Sequence, residues 1–231
     1  MNRLNHTWRN FLAGLLLMIV SGIGHSANEI KAPPRTIDDI LKVIQKNAIE
    51  VDSLKDAKRW IARDIPDSAS DAEKNNFYFS RAEAFARVGQ VDKAIKDIEL
   101  VISKYPGTEY RLKLMNLMVL SSYEAQIGNL NKAIALALQE RALILPNIQG
   151  LYMGNSPALV VLYSELGNFE EAEKYVRDTE STFNFLKRAP RFSEVGEFWR
   201  AQLFQTKGIY FSQQGKWTEA ESSLRIALPC L

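Results

Sequence analysis

Few residues in this chain are of types that catalyse reactions or hold metals. There are two histidines, His6 and His25, and one cysteine, Cys230. Both histidines lie in residues 1–26. If that stretch is removed, no imidazole remains for a zinc site, a Ser-His-Asp triad or a Cys-His dyad. A single cysteine cannot form a disulfide within the chain. Cys230 is the penultimate residue, which leaves a reactive or lipidated thiol open. It does not make a prenylation box, which needs its Cys fourth from the end. Glu170, Glu171 and Glu173 are close enough to suggest a carboxylate site. Three acids at a helix start are explained more simply by the helix dipole. Tyr175, Phe183, Phe185 and Phe192 could line a ligand box, but at these spacings they read as core. No phosphate loop, Walker motif, zinc spacing or metal-binding helix pair occurs. The expectation is a chain with no catalytic, cofactor-binding or metal residues, and no enzyme.

Composition points the same way. Of the 231 residues, 46% are hydrophobic and 24% charged, which suits a packed fold and not a disordered chain. The net charge of +2 comes from Arg3 and Arg9, which precede the first acid, Glu29. Without residues 1–26 the chain holds 27 bases and 27 acids. That balance gives no global field for nucleic acid or an anionic membrane. Lys42, Lys46, Lys55, Lys58, Arg59 and Arg63 have acids interleaved and read as a solvated helix face.

The N-terminus reads as an export signal. Arg3 and Arg9 come first, then the apolar run FLAGLLLMIV over Phe11–Val20, then small residues. Gly24 at −3 and Ser26 at −1 would allow cleavage before Ala27. A retained anchor is the rival reading, but the apolar run is about half of the ~20 residues needed to span a bilayer. The expected product is exported, periplasmic or secreted, with no stable membrane span after cleavage. Residues 27–35 read as an extended linker stiffened by Pro33 and Pro34. Residues 36–70 read as a helical pair. Thr36 begins one helix and a second runs from about Val51 to Arg63, with Leu54, Trp60 and Ile61 buried.

The informative feature is a repeat over residues 71–231. Four segments carry Gly followed five residues later by Ala: VGQVDKAI, IGNLNKAI, LGNFEEAE and QGKWTEAE. The pairs are Gly89/Ala94, Gly128/Ala133, Gly167/Ala172 and Gly215/Ala220, and the glycines are 39, 39 and 48 residues apart. An apolar residue stands two after each Gly: Val91, Leu130, Phe169, Trp217. Each Gly is expected to end one helix in a left-handed conformation, and the next helix starts within two or three residues. The Ala lets the second helix pack close on the first. A single hairpin cannot bury its stripe, so neighbours must stack.

These residues resemble the tetratricopeptide repeat (TPR), whose pattern is W-x2-L-G-x2-Y, A-x3-F, P. The first copy reads Tyr78, Arg81, Ala82, Phe85, Ala94, Ile98 and Pro106; the fourth reads Phe204, Lys207, Gly208, Phe211, Ala220, Leu224 and Ala227. The resemblance implies an all-α, TPR-like superhelix of stacked antiparallel helical hairpins behind a cleaved signal peptide. The longer spacing and the uneven second helices depart from the pattern and imply longer hairpins and an irregular superhelix. The resemblance further implies a concave groove lined by the first helices, binding a protein or peptide. The groove positions are Asn76, Phe79, Glu83 and Arg87; then Met118, Ser122 and Gln126; then Val161, Ser164 and Glu165; then Gln202, Gln205, Ser212 and Gln213. Phe79 and Glu83 stand where some family members carry the Lys and Asn that clamp an acidic C-terminal carboxylate, so that partner is disfavoured.

The start Pro-Pro-Arg-Thr-Ile and the segment NFYFSRAEAFARVGQVDKAIKDIE are also similar to the N-terminal region of exported bacterial TPR proteins that continue into a CHAT domain, a caspase-like peptidase fold. Catalysis in that family rests on a His and a Cys of the C-terminal domain, and no residue here matches them. Leu224, Leu228 and Leu231 are expected to leave apolar surface on the fourth hairpin, which calls for a partner, a homodimer or a continuation of the chain. The leading expectation is a scaffold without catalysis. The alternatives are the regulatory region of a CHAT-type peptidase protein and a binder of small ligands in the groove.

Overall fold

The computed structural model describes residues 49–106, 109–145, 148–190 and 192–228. The signal, the linker, the helix from Thr36, Cys230 and Leu231 lie outside the described residues. Among the described residues there are nine α-helices, one short 3-10 turn at Gln149–Leu151 and no strand. They are α1 (Ile49–Ile61), α2 (Asp71–Arg87), α3 (Val91–Lys104), α4 (Tyr110–Gln126), α5 (Leu130–Leu143), α6 (Tyr152–Glu165), α7 (Phe169–Leu186), α8 (Phe192–Gln213) and α9 (Trp217–Ala227). None of them is long and apolar enough to cross a membrane.

The hairpins follow from their turns. Gly89, Gly128, Gly167 and Gly215 have φ of 76°, 83°, 78° and 72°. At each, the Gly N–H returns to the carbonyl three residues back, and the next N–H returns to the carbonyl five back. For Gly128 and Asn129 these bonds, to Ala125 and Glu124, are both 2.9 Å. This double closure satisfies the end carbonyls of the first helix, and it needs a left-handed residue. The same residue that closes one helix then stands at the N-cap of the next: Gln90, Asn129, Asn168 and Lys216, of which Asn168 accepts from the Glu171 N–H. The four alanines sit in the helix crossings, Ala94, Ala133 and Ala172 at 0% exposure and Ala220 at 4%.

α2 pairs with α3, α4 with α5, α6 with α7 and α8 with α9; successive hairpins then pack through α3–α4, α5–α6, α7–α8 and α6–α8. One apolar cluster joins Ala133, Ile134 and Ala137 of α5 to Leu159 and Leu162 of α6. A second joins Val160, Ala172, Val176 and Tyr210 across α6, α7 and α8. Each junction also carries an ionic tie. Lys132 reaches Glu99 (2.8 Å) and Glu124 (2.6 Å), linking the first two hairpins. Arg141 of α5 reaches Asp178 of α7 (2.9 Å). Lys207 of α8 pairs with Glu180 of α7.

The second N-terminal helix lies at Ile49–Ile61, not Val51–Arg63. Its buried residue is Ala57 at 1% exposure, whereas Leu54 is 37% exposed. Trp60 and Ile61 are half-buried, and Trp60 sits 6.3 Å from the Phe77 ring. On the fourth hairpin, Leu224 is packed over Gly208 and only half-buried, while Leu228 is 64% exposed.

Candidate partner-binding face

α2 begins where Ser70 caps it. The Ser70 hydroxyl accepts from the Glu73 N–H (3.3 Å) and the Glu73 carboxylate accepts from the Ser70 N–H (2.8 Å). This reciprocal box fixes the register of the helix that carries the first groove positions. Hydrogen bonds from Ser70 hold the Glu73 carboxyl below its usual range.

Asn76, Phe79, Glu83 and Arg87 fall three or four apart and so share one stripe of α2. Asn76 and Arg87 are exposed and Glu83 is half-buried. Phe79 is only 9% exposed, its side chain taken up in packing. Burial raises the Glu83 carboxyl, and Arg87 opposes the rise. The Tyr123 hydroxyl of α4 is raised by its burial first and then by the Glu83 charge, with Arg87 opposing. On α4, Met118 and Ser122 are half-buried and Gln126 is exposed.

On α6, Val161 is half-buried and Glu165 exposed at the helix end, where partial desolvation still raises its carboxyl. Ser164 is 4% exposed, and its hydroxyl oxygen has no hydrogen-bond partner among the described residues. On α8, Gln205 and Ser212 are half-buried and Gln213 exposed, but Gln202 is 7% exposed and spent in packing. Among the first helices of the hairpins, the structure packs α6 against α8 directly.

The residues that looked able to do chemistry are otherwise engaged. Glu170 and Glu171 sit in the first turn of α7. Glu171 pairs with Lys174 and Glu173 with Arg177. Tyr175 stacks on Tyr163 with centroids 5.7 Å apart, and Phe183 is buried. Phe185 departs from the core expectation, because it is 55% exposed.

Sequence reasoning missed a buried polar network between the second and third hairpins. Asn155 of α6 donates to the Ala137 carbonyl (2.9 Å) and to Glu140 (3.0 Å). Ser156 donates to Asp178 (2.6 Å) and accepts from Arg141 (2.9 Å). Glu140 is 8% exposed, and burial raises its carboxyl to about 7. These residues come from three helices with no shared period, so no pattern announced them.

No family model matches this chain, and no curated protein matches it. Solved structures do. One variant of a Podosopora anserina protein, described as a kinesin light chain with nearly identical TPR-like repeats, superposes with a TM-score of 0.55 at 16% identity, covering 83% of this chain and 91% of that one. A second structure of that protein gives 0.51 at 15% identity, covering 83% and 92%. The fold is TPR-like. At such identity the likeness carries the fold alone. The four TPR-like turns, each built on a left-handed glycine, rest on this chain's own geometry.

Proposed function

We propose that this chain is an exported interaction scaffold that binds a peptide or protein along the first helices of its TPR-like hairpins, without catalysis of its own. The observation that carries the reading is the packing of two of those first helices, α6 against α8. The Glu83 charge of α2 is also felt at Tyr123 of α4. A row of half-buried polar side chains, Ser122, Gln205 and Ser212 among them, follows the same helices. Such groups lose little on binding an extended chain, because a peptide backbone can replace the water they bond. Export is supported by the order of Arg3, Arg9, the apolar run and the small residues Gly24 and Ser26 in the sequence.

Photocrosslinking in the cells of origin tests the reading. A photoreactive residue at Gln126 or Gln205 is expected to give a discrete protein adduct, and one at Lys96, on the exposed side of α3, is not. Equal adducts at all three positions, or none, would sink it. N-terminal sequencing of the protein from the cell envelope is expected to begin at Ala27. An intact Met1 in that fraction would rule out cleavage.

A further inference from the structure

The spacing of the glycines locates a second site. From Gly89 to Gly128 the chain takes 39 residues, with a 14-residue α3 and a 17-residue α4. From Gly167 to Gly215 it takes 48, with an 18-residue α7 and a 22-residue α8. Five residues join the helices in both cases, 105–109 and 187–191. The difference of nine is therefore all helix: four residues added to α7, Phe183–Leu186, and five to α8, Phe192–Gly196.

Those added turns build a cleft of about 510 Å³ between α7 and α8. Its floor is Phe183 (7% exposed) and Leu203 (6%), which belong to the apolar cluster of Met153 and Leu186. Half-buried Phe192 and Phe204 also line it. Phe192 lies close on Gly196, where an added Cβ would come 2.7 Å from its ring. The cleft is open to solvent, and its apolar floor with a few polar groups around it is a lining that small ligands use.

The charges of the cleft are unequal. Glu180 is held by Lys207, and Glu197 by one nitrogen of Arg200 at 3.2 Å. Arg200 keeps its other donors. The Lys187 ammonium lies 4.9 Å over the Phe183 ring, at the edge of the apolar floor. Among the described residues it has no carboxylate partner. The two acids of the lining are thus each held by a cation, while Lys187, one of its two lining cations, is held by no acid among the described residues.

We infer that the cleft between the extended ends of α7 and α8 binds an apolar carboxylate, its body on Phe183 and Leu203 and its charge at Lys187 and Arg200. The site is separate from the row of first-helix positions above and does not depend on that row's function. Free aryl or alkyl acids and the last residue of a polypeptide both present this chemistry.

The test uses the purified full chain, with naphthoate and its neutral amide as probes, followed by calorimetry or ligand-observed NMR at low ionic strength. Naphthoate is expected to saturate with a dissociation constant of about 1 mM or tighter, and the amide to bind about tenfold more weakly. Lys187→Gln and Arg200→Gln change exposed side chains, so their melting temperatures should match the parent while each weakens naphthoate about tenfold and leaves the amide unchanged. A short peptide ending in Phe, compared with its C-terminal amide, distinguishes the sources. Binding of the peptide acid without naphthoate would assign the site to chain ends, still as an apolar carboxylate site. No saturation by either acid up to about 10 mM overturns the inference. So does equal affinity for acid and amide, or unchanged affinity in both variants.

Discussion

Gly128 and Gly154 are both free of neighbours, since a Cβ built at either meets nothing within 4 Å. They differ in backbone: Gly128 has φ +83°, and Gly154 lies inside α6 without a positive φ. The same substitution should therefore have opposite signs. Gly128→Ala is expected to cost about 1–2 kcal/mol in urea unfolding, because a left-handed L-residue is strained. Gly154→Ala should stabilise by about 0.5–1 kcal/mol through helix propensity. Equal effects would contradict the turn geometry. Glu140 gives a second residue-scale prediction. Burial lifts its carboxyl from the ordinary 4.5 to about 7 in the fold. The folded chain thus holds this proton more tightly than the unfolded chain does. Its contribution to stability is fully present below about pH 4.5 and is lost as pH rises through about 7. Glu140→Gln keeps an acceptor for Asn155 without the charge. It should remove this slope and exceed the parent at about pH 8 by about 3 kcal/mol. Parallel stability curves for parent and variant across that range would show that Glu140 is not the group.

At the scale of elements, the α8–α9 crossing depends on Gly208. A Cβ there would lie 2.6 Å from Leu224 Cγ and 3.4 Å from the Ala220 carbonyl oxygen. Gly208→Ala must displace Leu224, for a net loss of about 1–2 kcal/mol. In a Leu224→Ala background the same change should be neutral or stabilising, since only helix propensity remains. A cost that is the same in both backgrounds, measured by a double-mutant cycle in urea, would mean the crossing does not set it. Elements were legible in the sequence where one residue type answers a backbone need. Gly89, Gly128, Gly167 and Gly215 are glycines because the turn is left-handed, and Ala94 to Ala220 are small because the helices touch there. The longer spacing of the copies announced longer hairpins, but not that the excess before Gly215 divides between the end of α7 and the start of α8. The face of a helix was less legible. Alignment placed Phe79 and Gln202 toward a partner, while packing against neighbouring helices turned them inward. The Glu140–Asn155 and Arg141–Asp178 contacts were illegible, because they join residues 15 and 37 apart on separate helices.

For the whole molecule, each hairpin packs only on its neighbours, so stability should add as hairpin terms and junction terms. The junction between the second and third hairpins concentrates its polar contacts on Arg141. That guanidinium donates to Ser156 (2.9 Å), pairs with Asp178 (2.9 Å) and lies over the rings of Tyr152 (4.6 Å) and Tyr175 (5.4 Å). Its side chain is 23% exposed and that of Asp178 34%, so solvent screens the pair only in part. Arg141→Ala removes these contacts, and a longer bond to the Asn155 side-chain oxygen (3.4 Å), and leaves Asp178 with Ser156. The expected loss is about 2 kcal/mol at that junction. In a stacked array such a loss weakens coupling between two halves more than it weakens either half. Hydrogen exchange followed by mass spectrometry separates the cases. Protection should fall most in α5, α6 and α7, while α2–α3 and α8–α9, which do not touch Arg141, keep theirs and begin to open independently in urea. A uniform fall across α2 to α9 would show that the hairpins unfold as one block, and that Arg141 contributes to a shared core and not to a local joint.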